Sequence, residues 1–309
     1  MKHLFIINPA AGKRDQTGEY TQKIREACEK AGVSYEILVS KAAGDCTKLV
    51  QAAGATGEEL HVYACGGDGT LNEVVNGAVG FDNVAVTVFP GGSGNDFIKV
   101  FSEPSAFRDL ERLLDYEEAQ IDLIRCQDKY YSINICSMGF DARVGTQVDR
   151  YKRLPLVSGS GAYIMSVGVN LIKGVKAHYV VDIDGETFDG RHTLICIANG
   201  RWYGGGFNPI PEAEIDDGLL DVLVVKGVSR LTVANVVGKY KAGRYAELPK
   251  LARHFRCKSV RILCDKESEV NLDGELLMSK EATFEVAPKA IRFFYPKGLT
   301  YHAATPATV

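Results

Sequence analysis

The sequence predicts an α/β N-terminal domain, a doubly wound and mostly parallel sheet over residues 1–125. A β-rich, sandwich-like domain follows over 126–298, and a C-terminal tail, 299–309, is expected to pack back on the first domain. Three observations carry this reading. Short apolar runs alternate with amphipathic stretches up to residue 125, strand-like runs follow one another with little helix beyond it, and glycine-bearing loops recur after strands of the first part. Alternating strands and helices imply right-handed crossovers and helices on both sheet faces. Ligands of such sheets bind beyond the carboxyl ends of the strands.

Residues 4–7, Leu-Phe-Ile-Ile, read as a buried strand. Residues 17–31 read as a helix because Tyr20, Ile24, Ala27 and Ala31 recur at helical spacing, and Gly32 stops it. Strand 35–39, helix 46–53, strand 60–65, helix 70–79 and strand 85–89 continue the rhythm. In the second part, strands are expected at 131–135, 179–183, 193–197, 219–225, 260–264, 283–286 and 291–295. Only 157–173 and 231–242 look helical there, which is the pattern of a sandwich or open barrel.

Composition excludes several function classes. The 36 basic and 39 acidic residues of this 309-residue chain give a net charge of −3, which argues against long nucleic acids as partners. No apolar run approaches the 18 or so residues that span a bilayer, and the start has too short an apolar run for a signal peptide. A cytoplasmic protein is therefore expected, with its eight scattered cysteines as reduced, buried thiols. The six histidines show no ligand spacing and receive no role. Glycine is the unusual count, 32 residues.

Those glycines mark the candidate site. Cys65-Gly-Gly-Asp-Gly-Thr-Leu-Asn-Glu73 follows a strand and opens a helix, so N–H groups point at an anion while glycine lets the ligand approach closely. Asn8-Pro-Ala-Ala-Gly12 and Pro90-Gly-Gly-Ser-Gly-Asn-Asp-Phe97 occupy equivalent positions after other strands. Convergence of three such loops on one sheet edge implies a phosphate-rich ligand. None fits the P-loop or G-x-G-x-x-G patterns, so no phosphate-gripping lysine is expected. Asp68, Asp96 and Asp122 sit at or beyond strand ends, where carboxylates and waters suit Mg²⁺. Asp-Gly-Glu occurs twice, at 184–186 and 273–275. The first reads as a hairpin turn, and composition alone does not separate the second from it.

Together, N-P-x-x-G at 8–12, G-G-D-G-T-L-N-E at 66–73, P-x-G-[ST]-x-N-D-F at 90–97 and L-D-G-E at 272–275 resemble the diacylglycerol kinase catalytic-domain family, most closely its soluble bacterial lipid kinases. The stretch 199–221, with its glycine cluster, P-x-A and D-D-G, resembles the family too. The resemblance covers nearly the whole chain. It implies an ATP site between the domains at Asn8, Pro9, Ala10, Ala11, Gly12, Ser40, Gly66, Gly67, Asp68, Gly69, Thr70, Leu71, Asn72 and Ser93. Positions 40 and 93 are commonly Thr in the family, and Ser keeps the hydroxyl. It further implies a catalytic Mg²⁺ network at Asp68, Asp96 and Asp122, with Asp273 or Glu275 as the acceptor-side carboxylate. A structural Mg²⁺ would sit on main-chain oxygens of Glu214 and Leu219 and the Asp217 carboxylate.

The expected activity is transfer of the ATP γ-phosphoryl group to a lipid hydroxyl, foremost diacylglycerol to phosphatidic acid. Two rivals stand beside it, a soluble-substrate kinase of the NAD-kinase type and a non-catalytic nucleotide-sensing protein. A lipid substrate implies transient membrane contact, for which Arg201-Trp202-Tyr203 and residues 240–245 are candidates. Oligomeric state is open, a homodimer included.

Overall fold

β1 (Lys2–Ile7), β2 (Tyr35–Val39), β3 (Leu60–Gly66) and β4 (Val84–Pro90) lie parallel in the order β2-β1-β3-β4 in a computed structural model that describes residues 1–12, 14–91, 94–140, 142–144 and 174–302. β1, β3 and β4 are buried almost throughout, which is why they read as unbroken apolar runs rather than alternating ones. α1 (Thr17–Ala31) buries Tyr20, Ile24, Ala27 and Cys28. It ends where Gly32, at φ 66°, turns its N–H back to the carbonyls of Cys28 and Glu29. α2 (Asp45–Gly54) and α3 (Asp68–Ala78) follow, and the short α4 (Leu110–Leu114) is capped by the Asp109 carboxylate.

Two units divide the chain, and the division differs from the expected 1–125 and 126–298. The first comprises Met1–Leu123, Glu214–Asp217 and the chain from Ala287 on. The cause is β13 (Glu275–Pro296), whose end runs parallel to β4, with Arg292 opposite Ala85 and Phe293 opposite Val86. Phe293 there meets Phe97 edge-on and stacks on Phe101, at 5.1 and 5.9 Å between ring centres. The expected strands 283–286 and 291–295 are thus parts of one strand. Of the expected tail, Thr300 exchanges hydrogen bonds with Ser102 in the first unit, and 303–309 lie outside the described residues.

Opposite the loop end of this sheet, His3 and His61 lie side by side, 2% and 1% exposed, with rings 5.6 Å apart. His3 Nδ1 meets the Tyr63 hydroxyl at 2.8 Å, and His61 Nε2 meets Glu118 at 2.8 Å. Burial pulls the His3 pKa down to about 4, with His61 adding repulsion. An unfolded His3 titrates near its ordinary value of 6.5, so between pH 6.5 and 4 the unfolded chain binds more protons. Stability present above pH 6.5 is therefore expected to fall by about 3 kcal/mol by pH 4 from this residue alone. Urea midpoints across this range measure it, and His3→Asn should flatten the slope by about one proton. An unchanged slope in that variant would refute the assignment.

The second unit comprises Ile124–Ala213 and Gly218–Val286. β5 (Tyr116–Cys126) leads into it, followed by β6 (Tyr130–Ser132), β7 (Ile135–Gly139), β8 (Ala177–Ile183), β9 (Glu186–Ala198), β10 (Leu220–Lys226), α5 (Arg230–Lys241), β11 (Ala252–Cys257) and β12 (Ser259–Leu272). Antiparallel pairing runs β11-β10-β9-β7-β12-β13, and β8 pairs with both β9 and β12. Val181, Ile195, Ile197, Val222, Ile262 and Phe284 are fully buried in its core, the inward halves of alternating strands. The sheet is β-sandwich-like, as the strand pattern predicts. The expected strand 131–135 is instead two, β6 and β7, broken at Ile133 and Asn134. β5 and the edge strand β11 have no counterpart among the expected strands. The expected helix 157–173 lies outside the described residues. All eight cysteines are free, seven of them buried. No helix among the described residues is long and apolar enough to cross a membrane.

Candidate active site

Residues 8–12, 67–69 and, of the third loop, 91 and 94–96 follow the carboxyl ends of the adjacent parallel strands β1, β3 and β4, so they share one edge of the first unit's sheet. They are bonded to one another. Asn8 donates through Nδ2 to the Thr70 hydroxyl at 3.0 Å, while its Oδ1 accepts the Ala10 N–H at 3.0 Å. Gly91 N–H donates to Gly66 O at 2.7 Å, and Gln16 donates to Gly91 O at 3.4 Å. Three unrelated turns would not be cross-tied in this way.

Glycine is required at specific places in this lattice. A Cβ on Gly66 would fall 2.2 Å from Thr70 Oγ1, and one on Gly94 would fall 2.7 Å from Asp68 Oδ2. Gly67 precedes α3 with no side chain to cap it, leaving the first-turn N–H groups to face a ligand. Thr70, Leu71 and Asn72 are buried in that turn, and buried Ser40 ends β2 with its N–H on Ile7 O at 2.9 Å. Pro9, Ala10, Ala11, Gly12 and Gly69 complete the rim. Ser93 lies outside the described residues.

The carboxylates divide into two kinds. Asp68 Oδ1 accepts the Asp96 N–H at 2.6 Å, and Asp68 Oδ2 and Asp96 Oδ2 both face Gly94, 2.7 and 3.5 Å from where a Cβ on it would lie. Asp96 also pairs with Lys99. Sequence reasoning expected no lysine at this edge and missed Lys99, which the 3₁₀ turn Phe97–Val100 places one turn beyond Asp96. Asp122 is fully buried; its Oδ1 accepts Lys289 N–H and its own N–H donates to Ile215 O, both at 2.7 Å. Among the described residues, the three aspartates do not form one close group of ligand atoms. The side chains that do are Glu214, Asp216 and His302, with Tyr301 donating to Asp216 at 3.0 Å. Asp217, the expected side-chain ligand beside Glu214, is not in that group, and Leu219 belongs to the second unit.

The two Asp-Gly-Glu turns, in the second unit, resolve on geometry. Each has positive φ at both Asp and Gly, 48° and 91° at Asp184 and Gly185, 51° and 100° at Asp273 and Gly274, as a two-residue hairpin requires. In each the aspartate serves the backbone. Asp184 accepts the N–H groups of Lys258 and Ser259. Asp273 accepts those of Ile133, Asn134 and Ile135, at 2.8, 3.2 and 2.8 Å, which breaks the strand there. Burial pushes the Asp273 carboxyl up, against the pull of these donors. The glutamates differ: Glu186 reaches Arg253 at 3.8 Å, whereas Glu275 is exposed with no side-chain partner among the described residues.

An apolar cavity, also in the second unit, lies under α5 and is lined by Phe140, Phe207, Leu223, Val233, Val237 and Tyr240, among others. Arg201, an expected surface contact, is instead 7% exposed and donates to Ala213 O at 2.7 Å. Tyr240 likewise turns inward, its hydroxyl 2.8 Å from that of Tyr203.

Residues 2–126 match the family model of the diacylglycerol kinase catalytic domain, and residues 134–295 match that of the YegS C-terminal NAD kinase beta sandwich-like domain. A Staphylococcus aureus (strain MRSA252) protein named "Putative lipid kinase" is 26% identical over 280 residues, 89% of this chain and 90% of its own. A crystal structure from Bacillus anthracis str. Sterne, described as "a putative diacylglycerol kinase", is 25% identical with a TM-score of 0.71, covering 99% of both chains. A second from that organism, 24% identical with a TM-score of 0.74 over 96% of this chain and 97% of its own, shares the fold.

Proposed function

The chain belongs to the diacylglycerol kinase catalytic-domain family, and from that premise we propose that it transfers the ATP γ-phosphoryl group to a lipid hydroxyl, diacylglycerol foremost. The observation that carries the reading is the cross-bonded set of three glycine loops with Asp68 and Asp96 both facing Gly94. Loop N–H groups and the start of α3 hold the phosphates, and Lys99 adds positive charge at the same edge. One or two carboxylates plus water are the usual protein share of a Mg²⁺ site, and Asp68 and Asp96, whose Oδ2 atoms both face Gly94, would hold the ion. When bound, Mg²⁺ supplies charge neutralisation on the phosphate oxygens.

The acceptor hydroxyl oxygen forms a bond to the γ-phosphorus as the bond to the β,γ-bridging oxygen breaks and ADP leaves. The hydroxyl proton passes to a carboxylate, for which Glu275 is the free candidate. The acyl chains occupy the apolar cavity under α5. A lipid-panel assay with labelled ATP tests this, using diacylglycerol, monoacylglycerol, a sphingoid base and NAD as acceptors. A labelled phospholipid is expected. Label in NAD alone would establish the soluble-substrate rival, and tight ATP binding without transfer to any acceptor would establish a nucleotide sensor.

A further inference from the structure

The charge of this chain is unevenly placed. Eight of its 36 Lys and Arg, but one of its 39 Asp and Glu, fall within residues 230–258. That stretch folds as α5, the 3₁₀ turn Tyr245–Glu247 and the edge strand β11, all within the second unit. Its apolar side chains face in: Val233, Val236, Val237, Tyr240, Leu248 and Leu251 wall the cavity. Its cations are exposed: Lys241, over the Phe207 ring, ends α5, Arg244 pairs with Glu247 in the turn, Lys250 follows, and Arg253 and Arg256 project from opposite sides of β11, while Leu231 at the start of α5 is 73% exposed. Edge-strand cations such as Arg253 and Arg256 have a ready explanation, since charge discourages pairing with another chain. Lys241, Arg244 and Lys250 lie off the strand, and that explanation does not reach them.

We propose that the outer face of α5, the Tyr245–Glu247 turn and β11 docks on an anionic lipid bilayer. Charge complementarity carries the choice of partner: the stretch 230–258 has eight cations and one acid of its own, and although Glu186, Glu212 and Asp221 pair with it from other elements, it stays cationic on a chain whose remainder is strongly acidic. Each Lys or Arg near a bilayer carrying anionic headgroups strengthens binding about fivefold. Leu231 adds an apolar contact at the interface, and the cavity directly beneath offers an apolar space to a chain drawn from the bilayer. Nucleic acid fits less well. Its bases need exposed aromatic platforms, whereas Tyr240 is 9% exposed, Tyr245 is bonded to Glu212 and His254, and Phe255 packs on Phe188. The inference rests on the lipid-kinase reading for its purpose, and its test does not.

Flotation of the full chain without ATP, on vesicles of phosphatidylcholine alone or with about one quarter phosphatidylglycerol, reads docking directly. Binding is expected only to the anionic vesicles, weakening as salt rises. Lys241→Ser, Arg244→Ser and Lys250→Ser combined should weaken it on the order of a hundredfold, with the unfolding midpoint unchanged. Leu231→Ser should weaken it less. Phosphorylation of lipid dispersed in neutral detergent should be unaffected in these variants. Should the triple variant misfold, Lys250→Ser and the salt titration of the unaltered chain decide. Equal binding to both vesicle types, or binding unmoved by the substitutions, overturns the docking face. So does a single-stranded oligonucleotide that displaces the chain from vesicles. Intact vesicle binding without lipid phosphorylation instead overturns the kinase reading and leaves the face standing.

Discussion

Asp68→Asn is expected to lower kcat/KM for ATP-dependent lipid phosphorylation by about two to three orders of magnitude while leaving the fold intact. The two oxygens of this carboxylate do different things. Oδ1 accepts the Asp96 N–H at 2.6 Å and so shapes the third loop, a task an asparagine oxygen also performs. Oδ2 faces Gly94, where an amide NH₂ in its place would turn hydrogens, not charge, toward the Mg²⁺ proposed above. Charge at the phosphates is lost and loop geometry is kept. Asp68→Ala removes both, and should cost about 1 kcal/mol of stability besides. Gly94→Ala reaches the same oxygen from the other side, since its Cβ would sit 2.7 Å from Oδ2, and it should depress turnover with Asp68 unaltered. Initial rates at saturating and limiting ATP, with unfolding midpoints for each variant, check all three. Wild-type kcat/KM in Asp68→Asn would remove this carboxylate from the phosphate site.

The first unit was legible because each of its signals is local. Buried parallel strands read as apolar runs, α1 carries its own periodicity and glycine stop, and loops at strand ends advertise themselves by composition. What the sequence hid depends on distant partners. Ala287-Pro-Lys-Ala290 reads as a turn between two strands. In the structure β13 continues through it, because Lys289 takes a positive φ of 50° and gives its N–H to the buried Asp122. The same bond ties one oxygen of Asp122 to a strand 167 residues away, a tie no local signal announces. Ile133 and Asn134 look like strand interior until Asp273, some 140 residues later, claims their N–H groups. β11 carries two arginines, and its pattern of exposure suits an edge strand, so its hydrophobic signal is weak. Lys99 lay one turn past a recognised motif, where i,i+3 spacing to Asp96 was the available signal. The cationic stretch 230–258 was hidden by averaging, since a net charge of −3 describes the whole chain and no surface of it.

Asp273→Asn and Glu275→Gln are expected to separate scaffold from chemistry. Asp273 sits at φ 51°, a left-handed conformation that Asn adopts readily, but its Oδ2 accepts from Ile133 and Asn134 and its Oδ1 from Ile135, so the amide of Asn turns its NH₂ toward at least one backbone donor. Asp273→Asn should therefore cost about 1 kcal/mol of stability while keeping most of its turnover. Asp273→Ala strands three backbone N–H groups and strains the turn. It should cost about 3 kcal/mol or more and lower the unfolding midpoint, with activity falling in step. The Glu275 side chain has no bonding partner among the described residues, so Glu275→Gln should leave the unfolding midpoint in place. Turnover should nonetheless drop by about two to four orders of magnitude, the usual contribution of a positioned proton acceptor. The reverse result, an inactive yet stable Asp273→Asn beside an active Glu275→Gln, would move the proton acceptor to Asp273. It would then require the bonds from 133–135 to loosen when the acceptor lipid binds.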